Sequence, residues 1–257
     1  MTHKTAGEKT ALQSVGGNVF DEIYATDLRY WQDCWKLCGD AHCCSFSRYK
    51  ARFQLIARTS FQELPLLPGE YEYLASKGWL SQFGDFDHKV FEFPLNPGRM
   101  RVESIISRRP HCACDHDTRP TICRLYPLLP VYDIDGALIG TDSLGVYEDL
   151  EALQGLEPAC RLTSLPFSEL QKFLKIASAI GRSALALFYI MAYRLTKEHV
   201  RARLMDAHRR GSGVDIFALF ERKLLRGQLI DEDALASELR SLADSFQLRY
   251  GERFRLE

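Results

Sequence analysis

The chain has 257 residues, 46% of them hydrophobic and 26% charged, with a formal net charge of −1. That length buries an ample core, so neither metals nor disulfides are needed merely to compensate for small size. The near-neutral balance excludes a chain-wide basic footprint for nucleic acid, and no nucleic-acid partner is expected.

Residues 1–17 are polar and end in Gly16-Gly17, which reads as a flexible lead-in. They contain no apolar h-region, so no signal peptide is expected. Without an export signal the expected compartment is cytoplasmic and reducing, where clustered thiols bind metal or do redox chemistry in preference to forming disulfides.

From Phe20, the apolar positions Phe20, Ile23, Tyr24, Leu28, Trp31 and Trp35 recur in steps of three and four. The pattern predicts an amphipathic helix running into the first thiols. Those thiols are Cys34, Cys38, Cys43 and Cys44. Phe46 to Thr59 is ambiguous. Leu66 to Glu70 looks like a helix start, with a short helix over Tyr71–Lys77 stopped by Gly78. Lys89–Leu95 and Met100–Ser107 are strand candidates around the turn Asn96-Pro97-Gly98, and the second would deliver Cys112 and Cys114. Cys123 follows. Leu128–Ile134 and Ala137–Thr141 flank Asp135-Gly136, the strongest hairpin pattern in the chain. Glu148–Leu153 is a short helix candidate before Cys160.

These are all eight cysteines, and the last 97 residues contain none. Ser168 can cap a helix from Glu169, with periodicity to about His208 and a break near Gly181. The apolar run Ala184–Tyr193 is about half of the ~20 residues that a membrane-spanning helix needs, so it is expected as a buried helix and no membrane partner is expected. Val214–Arg226, stopped by Gly227, and Glu232–Phe246, capped by Asp231, complete the helices. The basic residues Arg194, Lys197, Arg201, Arg203, Arg209 and Arg210 read as a solvated helix face. The expected fold class is α+β: an irregular cysteine-cluster region with short β-hairpins over residues 18–165, then a helical region over 166–257. A protein partner is expected on the C-terminal helices.

Thiolates are soft ligands suited to zinc, copper(I) and iron–sulfur clusters. Structural zinc sites use pairs spaced Cys-x(2–4)-Cys. Here only the x3 and x4 intervals of Cys34, Cys38 and Cys43 fall in that range; the others are x0, x1 and x8. Iron–sulfur clusters accept varied spacings, so a [4Fe–4S] cluster or other iron site is favoured and zinc is the alternative. Adjacent Cys43 and Cys44 diverge on extended backbone and converge in a turn, so they serve either two sites or one. His42, His111 and His116 each lie near a thiol and are candidates for a ligand or for a hydrogen bond to one. Arg108, Arg109, Arg119 and Arg124 surround the second cluster. Arg119 and Arg124 either offset the negative charge of a thiolate site, binding the cofactor, or pin loop carbonyls. Glu70, Asp115, His116 and Tyr126 are candidates for an enzyme's polar groups, but they form no catalytic constellation.

The order Cys-x3-Cys-x4-Cys-Cys, followed by Cys114-x8-Cys123 within Arg119-Pro120-Thr121-Ile122-Cys123-Arg124-Leu125-Tyr126-Pro127, resembles the YkgJ family, the zinc- or iron-chelating cysteine-cluster domain. The match covers roughly residues 34–160, with Cys160 similar to a late cysteine of that family. The family's first motif is tighter, nearer Cys-x2-Cys-x2-Cys-Cys. The resemblance implies metal binding through the matched cysteines and assigns no reaction; a redox, electron-transfer or metal-handling role is expected from the eight thiols, their intervals and the flanking arginines. A structural zinc module that scaffolds a protein interaction is the alternative. A relative, the flagellin lysine N-methylase, resembles this domain in its cysteines and implies an iron–sulfur-dependent modifying enzyme as a third reading. No S-adenosylmethionine site accompanies it: Gly16-Gly17 and Gly211-Ser212-Gly213 do not sit between a clear strand and a helix.

Overall fold

The computed structural model describes residues 18–30, 52–56, 62–95, 98–108, 115–156, 166–210 and 214–256. The lead-in expected over residues 1–17 lies outside them. The fold is α+β: helices predominate, and two small antiparallel sheets precede a helical C-terminal region.

Helix α1 (Val19–Tyr24) is capped by the Asn18 side chain, which accepts from the Phe20 N–H at 3.1 Å. It is six residues long and ends well short of the expected amphipathic helix. Beyond Ala25 the ladder breaks, with the Thr26 N–H donating to the Ile23 carbonyl at 3.1 Å and the Leu28 N–H to the Thr26 carbonyl at 3.0 Å. The Thr26 hydroxyl donates to the Glu22 carbonyl at 2.8 Å, and the Arg29 N–H is taken by Glu169 Oε2 at 2.6 Å. An N–H bonded to a distant carboxylate cannot continue the i→i−4 ladder. Trp31 and Trp35 lie outside the described residues.

Strand β1 (Gln62–Leu66) was not foreseen. Helix α2 (Glu70–Ser76) starts at Gly69, whose φ of 77° is the left-handed conformation that glycine tolerates. A 3₁₀ turn over Trp79–Phe83 leads into β2 (Phe86–Pro94) and β3 (Arg99–Ser107), the expected hairpin. The sheet order is β1-β3-β2, with Pro94 opposite Arg99 and Gln62 opposite Ser107. Pro65 is tolerated because β1 is an edge strand.

Helix α3 (Thr121–Leu125) carries Cys123, and the Tyr126–Pro127 bond after it is cis. Strands β4 (Leu128–Tyr132) and β5 (Leu138–Ser143) form the hairpin expected around Asp135-Gly136, and α4 (Val146–Leu153) follows. The long C-terminal periodicity divides into α5 (Phe167–Arg182) and α6 (Ala184–Arg210), which meet at Ser183 with a bend of 106°. Pro166, and not Ser168, stands at the start of α5. Gly181 remains helical, because it packs backbone to backbone against the β4–β5 turn: a Cβ on Gly181 would lie 2.3 Å from the Gly136 carbonyl oxygen. Helices α7 (Ile216–Leu225) and α8 (Glu232–Tyr250) are capped by Asp215 and Asp231.

The main core draws Phe20, Ile23, Leu67, Leu125 and Leu129 together with Phe173, Ile180, Phe188, Phe246 and Phe254. Apolar burial is thus continuous across residue 165. The run Ala184–Tyr193 supplies much of it, with Leu187 and Phe188 wholly buried. No single described helix is long and apolar enough to cross a membrane. A second core of Phe53, Leu150, Val200, Leu204, Ile216, Phe217 and Phe220 holds residues 52–56 against α7. There the buried Glu221 carboxylate accepts from the N–H groups of Gln54, Leu55 and Ile56 at 3.3, 2.5 and 2.8 Å. Burial acts to raise the Glu221 pKa, but the three N–H groups outweigh it and hold the carboxyl below its ordinary value.

Lys197 is not on a solvated face. It is wholly buried, within 3.2 Å of Asp142 and 3.4 Å of Asp149, and it donates to Ser143 Oγ at 2.9 Å and to the Ser143 carbonyl. Arg201 bonds the same two carboxylates, so this network joins β5, α4 and α6.

Candidate metal centre

Helix α3 is organised by two buried charges of opposite sign. Glu70, on α2, is fully buried. Its Oε1 accepts from the Thr121 N–H and the Thr121 hydroxyl, both at 2.6 Å, and from the Tyr24 hydroxyl at 2.7 Å; its Oε2 accepts from the Leu67 N–H at 2.9 Å. Four donors replace the water that the carboxylate gave up, and two of them come from the first residue of α3. Burial and the adjacent Glu70 charge push the Tyr24 hydroxyl's pKa upward, so it stays protonated and donating.

Arg124 is the largest of the fully buried side chains among the described residues. Its Nε donates to the Arg119 carbonyl and its Nη1 to the Thr26 carbonyl, each at 3.1 Å, and its Nη2 donates to the Asp117 carbonyl. The guanidinium lies 4.5 Å from the centre of the Tyr24 ring, a cation–π contact. Arg124 therefore pins loop carbonyls. Arg119 pins one as well, with Nη2 donating to Leu28 O at 2.8 Å. Its Nε is buried and has no acceptor among the described residues. Of the two arginines, Arg119 is the one with a donor left over for an anion.

Cys123 is half-buried on α3 and packs against Leu64, Leu66, Leu74, Phe83 and Ile105. The other seven candidate ligands, Cys34, Cys38, Cys43, Cys44, Cys112, Cys114 and Cys160, lie outside the described residues, as do His42, His111 and Arg109.

The described residues nearest to those stretches are hydrogen-bonded to remote parts of the chain. Tyr30, four residues before Cys34, donates its hydroxyl to the Leu125 carbonyl of α3. Asp115 follows Cys114, and its N–H donates to Gln82 Oε1 at 3.1 Å; the Thr118 hydroxyl donates to the same oxygen at 2.8 Å. Before Cys112, the Ser107 hydroxyl donates to the Phe83 carbonyl at 3.0 Å and the Arg108 N–H to the Asp85 carbonyl at 3.4 Å. Arg108 also pairs with the Asp85 and Asp87 carboxylates. After Cys160, Glu169 at the start of α5 takes the Arg29 N–H. Chain separated by up to 140 residues is thereby tied around α3 and the 3₁₀ turn beside it. Sequence reasoning missed Tyr24, Arg29, Tyr30, Gln82 and Thr121 as members of this arrangement. Their roles are hydrogen bonds between remote segments, which leave no local pattern.

His116 lies beneath this loop with its Nδ1 4.0 Å from Asp27 and 3.8 Å from Asp117. Burial first, then Arg119 and Arg29, push its pKa down to about 4, so the imidazole is neutral near pH 7. Asp27, His116 and Asp117 could together hold an ion by their spacing. Arg29, however, already pairs with both carboxylates, at 2.8 and 3.2 Å, and offsets part of their charge. Asp115 is exposed; its Oδ1 accepts from the Asp117 N–H at 3.1 Å, a loop role. Tyr126 donates to Glu148 on the far side of α3. Glu70, Asp115, His116 and Tyr126 thus occupy separate surroundings.

No protein-family model matches this chain, and no curated protein or solved structure matches it.

Proposed function

We propose that this chain is a metal-binding protein of YkgJ-like type, holding an iron–sulfur cluster, [4Fe–4S] in preference to zinc, through cysteines drawn from both thiol stretches. The observation that supports this is the tying of the described residues nearest the thiol stretches to α3, the helix that carries Cys123, and to the 3₁₀ turn at Trp79–Phe83. Hydrogen bonds involving residues 28–30, 107–108, 115–119 and 169 draw the ends of the cysteine-bearing stretches to one region. A site that draws thiols from both stretches needs that arrangement, because Cys44 and Cys112 are separated by 67 residues of chain. The buried Nε of Arg119, without an acceptor among the described residues, fits an anionic thiolate site nearby.

The candidate ligands are Cys34, Cys38, Cys43, Cys44, Cys112, Cys114, Cys123 and Cys160. Arg119 adds a hydrogen bond to the anionic site, while Arg124 fixes the loop that presents it. When bound, such a cluster supplies one-electron chemistry, and hydrogen bonds to its sulfurs tune the potential. The C-terminal helices are proposed to dock a protein partner of this redox or metal-handling role.

The test is purification under anaerobic conditions followed by iron, zinc and acid-labile sulfide analysis with visible absorption. Iron and sulfide in equal amounts, with a thiolate-to-iron band lost in the Cys123→Ser variant, is the expected result. Colourless protein carrying stoichiometric zinc would replace the iron reading with the structural zinc module. Protein free of both metals refutes the proposal.

A further inference from the structure

The three-stranded sheet has two edges, and they are built differently. Strand β1 is five residues long and carries Pro65, two of the devices that protect an edge from further pairing. Strand β2 is nine residues long and has no proline before its last position. Among the described residues nothing pairs with its outer edge. Val90 and Phe91, at its centre, are 39% and 49% exposed.

The hydrogen-bond phase of β2 can be read from its ends. Hydrogen-bonded pairs alternate along an antiparallel ladder. The Leu95 N–H donates to Gly98 O at 2.9 Å and the Arg108 N–H donates to Asp85 O at 3.4 Å, one at each end of an unbroken register. Odd-numbered residues of β2 therefore exchange hydrogen bonds with β3. Even-numbered residues, Phe86, His88, Val90 and Glu92, turn their N–H and C=O groups to the open edge.

We infer that the β2 edge pairs antiparallel with β2 of a second copy of this chain, about a two-fold axis through the Val90 pair, forming a continuous six-stranded sheet. The charge pattern selects this register. With Val90 opposite Val90, His88 faces Glu92 twice and Lys89 faces Phe91 twice. Lys89 already sits 4.1 Å from the centre of its own Phe91 ring, so the same cation–π chemistry is available across the axis. Shifting the register by one hydrogen-bonding step in one direction sets Lys89 opposite Lys89, which like-charge repulsion disfavours. The opposite shift moves Pro94, which has no N–H, from opposite Phe86 at the end of the ladder to opposite His88 within it, and leaves Val90 against Glu92.

His88 is also fixed in advance. Its ring stacks on Tyr71 at 3.6 Å and its Nε2 lies 2.8 Å from Glu103. Little side-chain freedom is lost when the second copy arrives. Both copies use the same patch, as a two-fold interface requires.

The experiment is sedimentation equilibrium of the full chain over a range of concentrations, with three variants checked for fold by circular dichroism. The wild type is expected to dimerise. Val90→Pro removes an edge-facing N–H without breaking a bond to β3, and loss of the two hydrogen bonds across the axis raises the dimer Kd about tenfold or more. Phe91→Lys sets Lys opposite Lys89 and is expected to give monomer. Phe91→Glu removes the same apolar ring but sets Glu opposite Lys89, so it retains the dimer. A monomeric wild type, a dimer indifferent to Val90→Pro, or equal weakening by Phe91→Lys and Phe91→Glu overturns the inference.

Discussion

Replacing Arg124 with Met separates two roles that a buried arginine beside a thiolate site can play. Met keeps much of the side chain's volume and removes the guanidinium. Three buried carbonyls, those of Thr26, Asp117 and Arg119, then lose their donor, and the Tyr24 ring loses its cation. Each unsatisfied buried acceptor costs about 1–3 kcal/mol. Relaxation and water entry recover part of that, and breaking comparable buried charged contacts costs about 3–5 kcal/mol. At about 2–4 °C per kcal/mol for a chain near this size, the melting temperature should fall by roughly 6–20 °C. Arg124→Lys should recover little, because one ammonium cannot reach three carbonyls on two segments as the planar fork does. Denaturant unfolding followed by far-ultraviolet circular dichroism, run on metal-free protein, measures the effect without any contribution from bound metal. A loss under 1 kcal/mol in Arg124→Met, or full recovery by Lys, would refute the idea that carbonyl pinning is what this residue does.

Arg119→Ala should behave in the opposite way. It gives up one carbonyl bond and should cost about 1 kcal/mol, yet release metal faster in a chelator-competition assay. Lys197→Met should destabilise by about 3–5 kcal/mol, because the Asp142 and Asp149 carboxylates lose the buried one of the two cations that pair with them and keep Arg201; urea denaturation checks it. Glu221→Ala strands three N–H groups and should cost about 2 kcal/mol, with earlier proteolytic cleavage near residues 52–56. The Glu221 carboxyl's folded pKa is lowered, so its contribution is fully present above the ordinary carboxylate pKa and is lost as pH falls through the lowered value. Wild type should therefore lose stability on that acid limb faster than Glu221→Ala does, as thermal melts at stepped pH would show.

What the sequence made legible was local chemistry. Asp135-Gly136 between apolar runs specified the β4–β5 hairpin, and Gly69 and Asp231 marked helix starts because their conformational or capping roles act within a few residues. The α+β class follows from the same signs. The misreadings share a different cause. The chain after α1 leaves the helical path, and the Arg29 N–H goes to Glu169, 140 residues away. Strand β1 does not alternate cleanly, since Pro65 interrupts it, and it exists because β3 offers a partner. Lys197 looked like one of several surface cations until β5 and α4 brought two carboxylates over it. At the candidate metal centre the thiol pattern was plain, but the residues that draw its flanks together were not. Arg124 bonds carbonyls, which every residue carries, so its partners had no sequence signature.

The meeting of Gly136 and Gly181 has a practical consequence for handling this protein. Exposed hairpin tips are usual places to insert a tag or a reporter. Here a Cβ on Gly136 would fall 2.1 Å from the Gly181 carbonyl oxygen, so the tip is seated against a helix with no room for even one methyl group. An epitope inserted at residues 133–137 would pry the hairpin off α5. The same epitope placed at Gly227, where a Cβ meets nothing within 4 Å, should be accommodated.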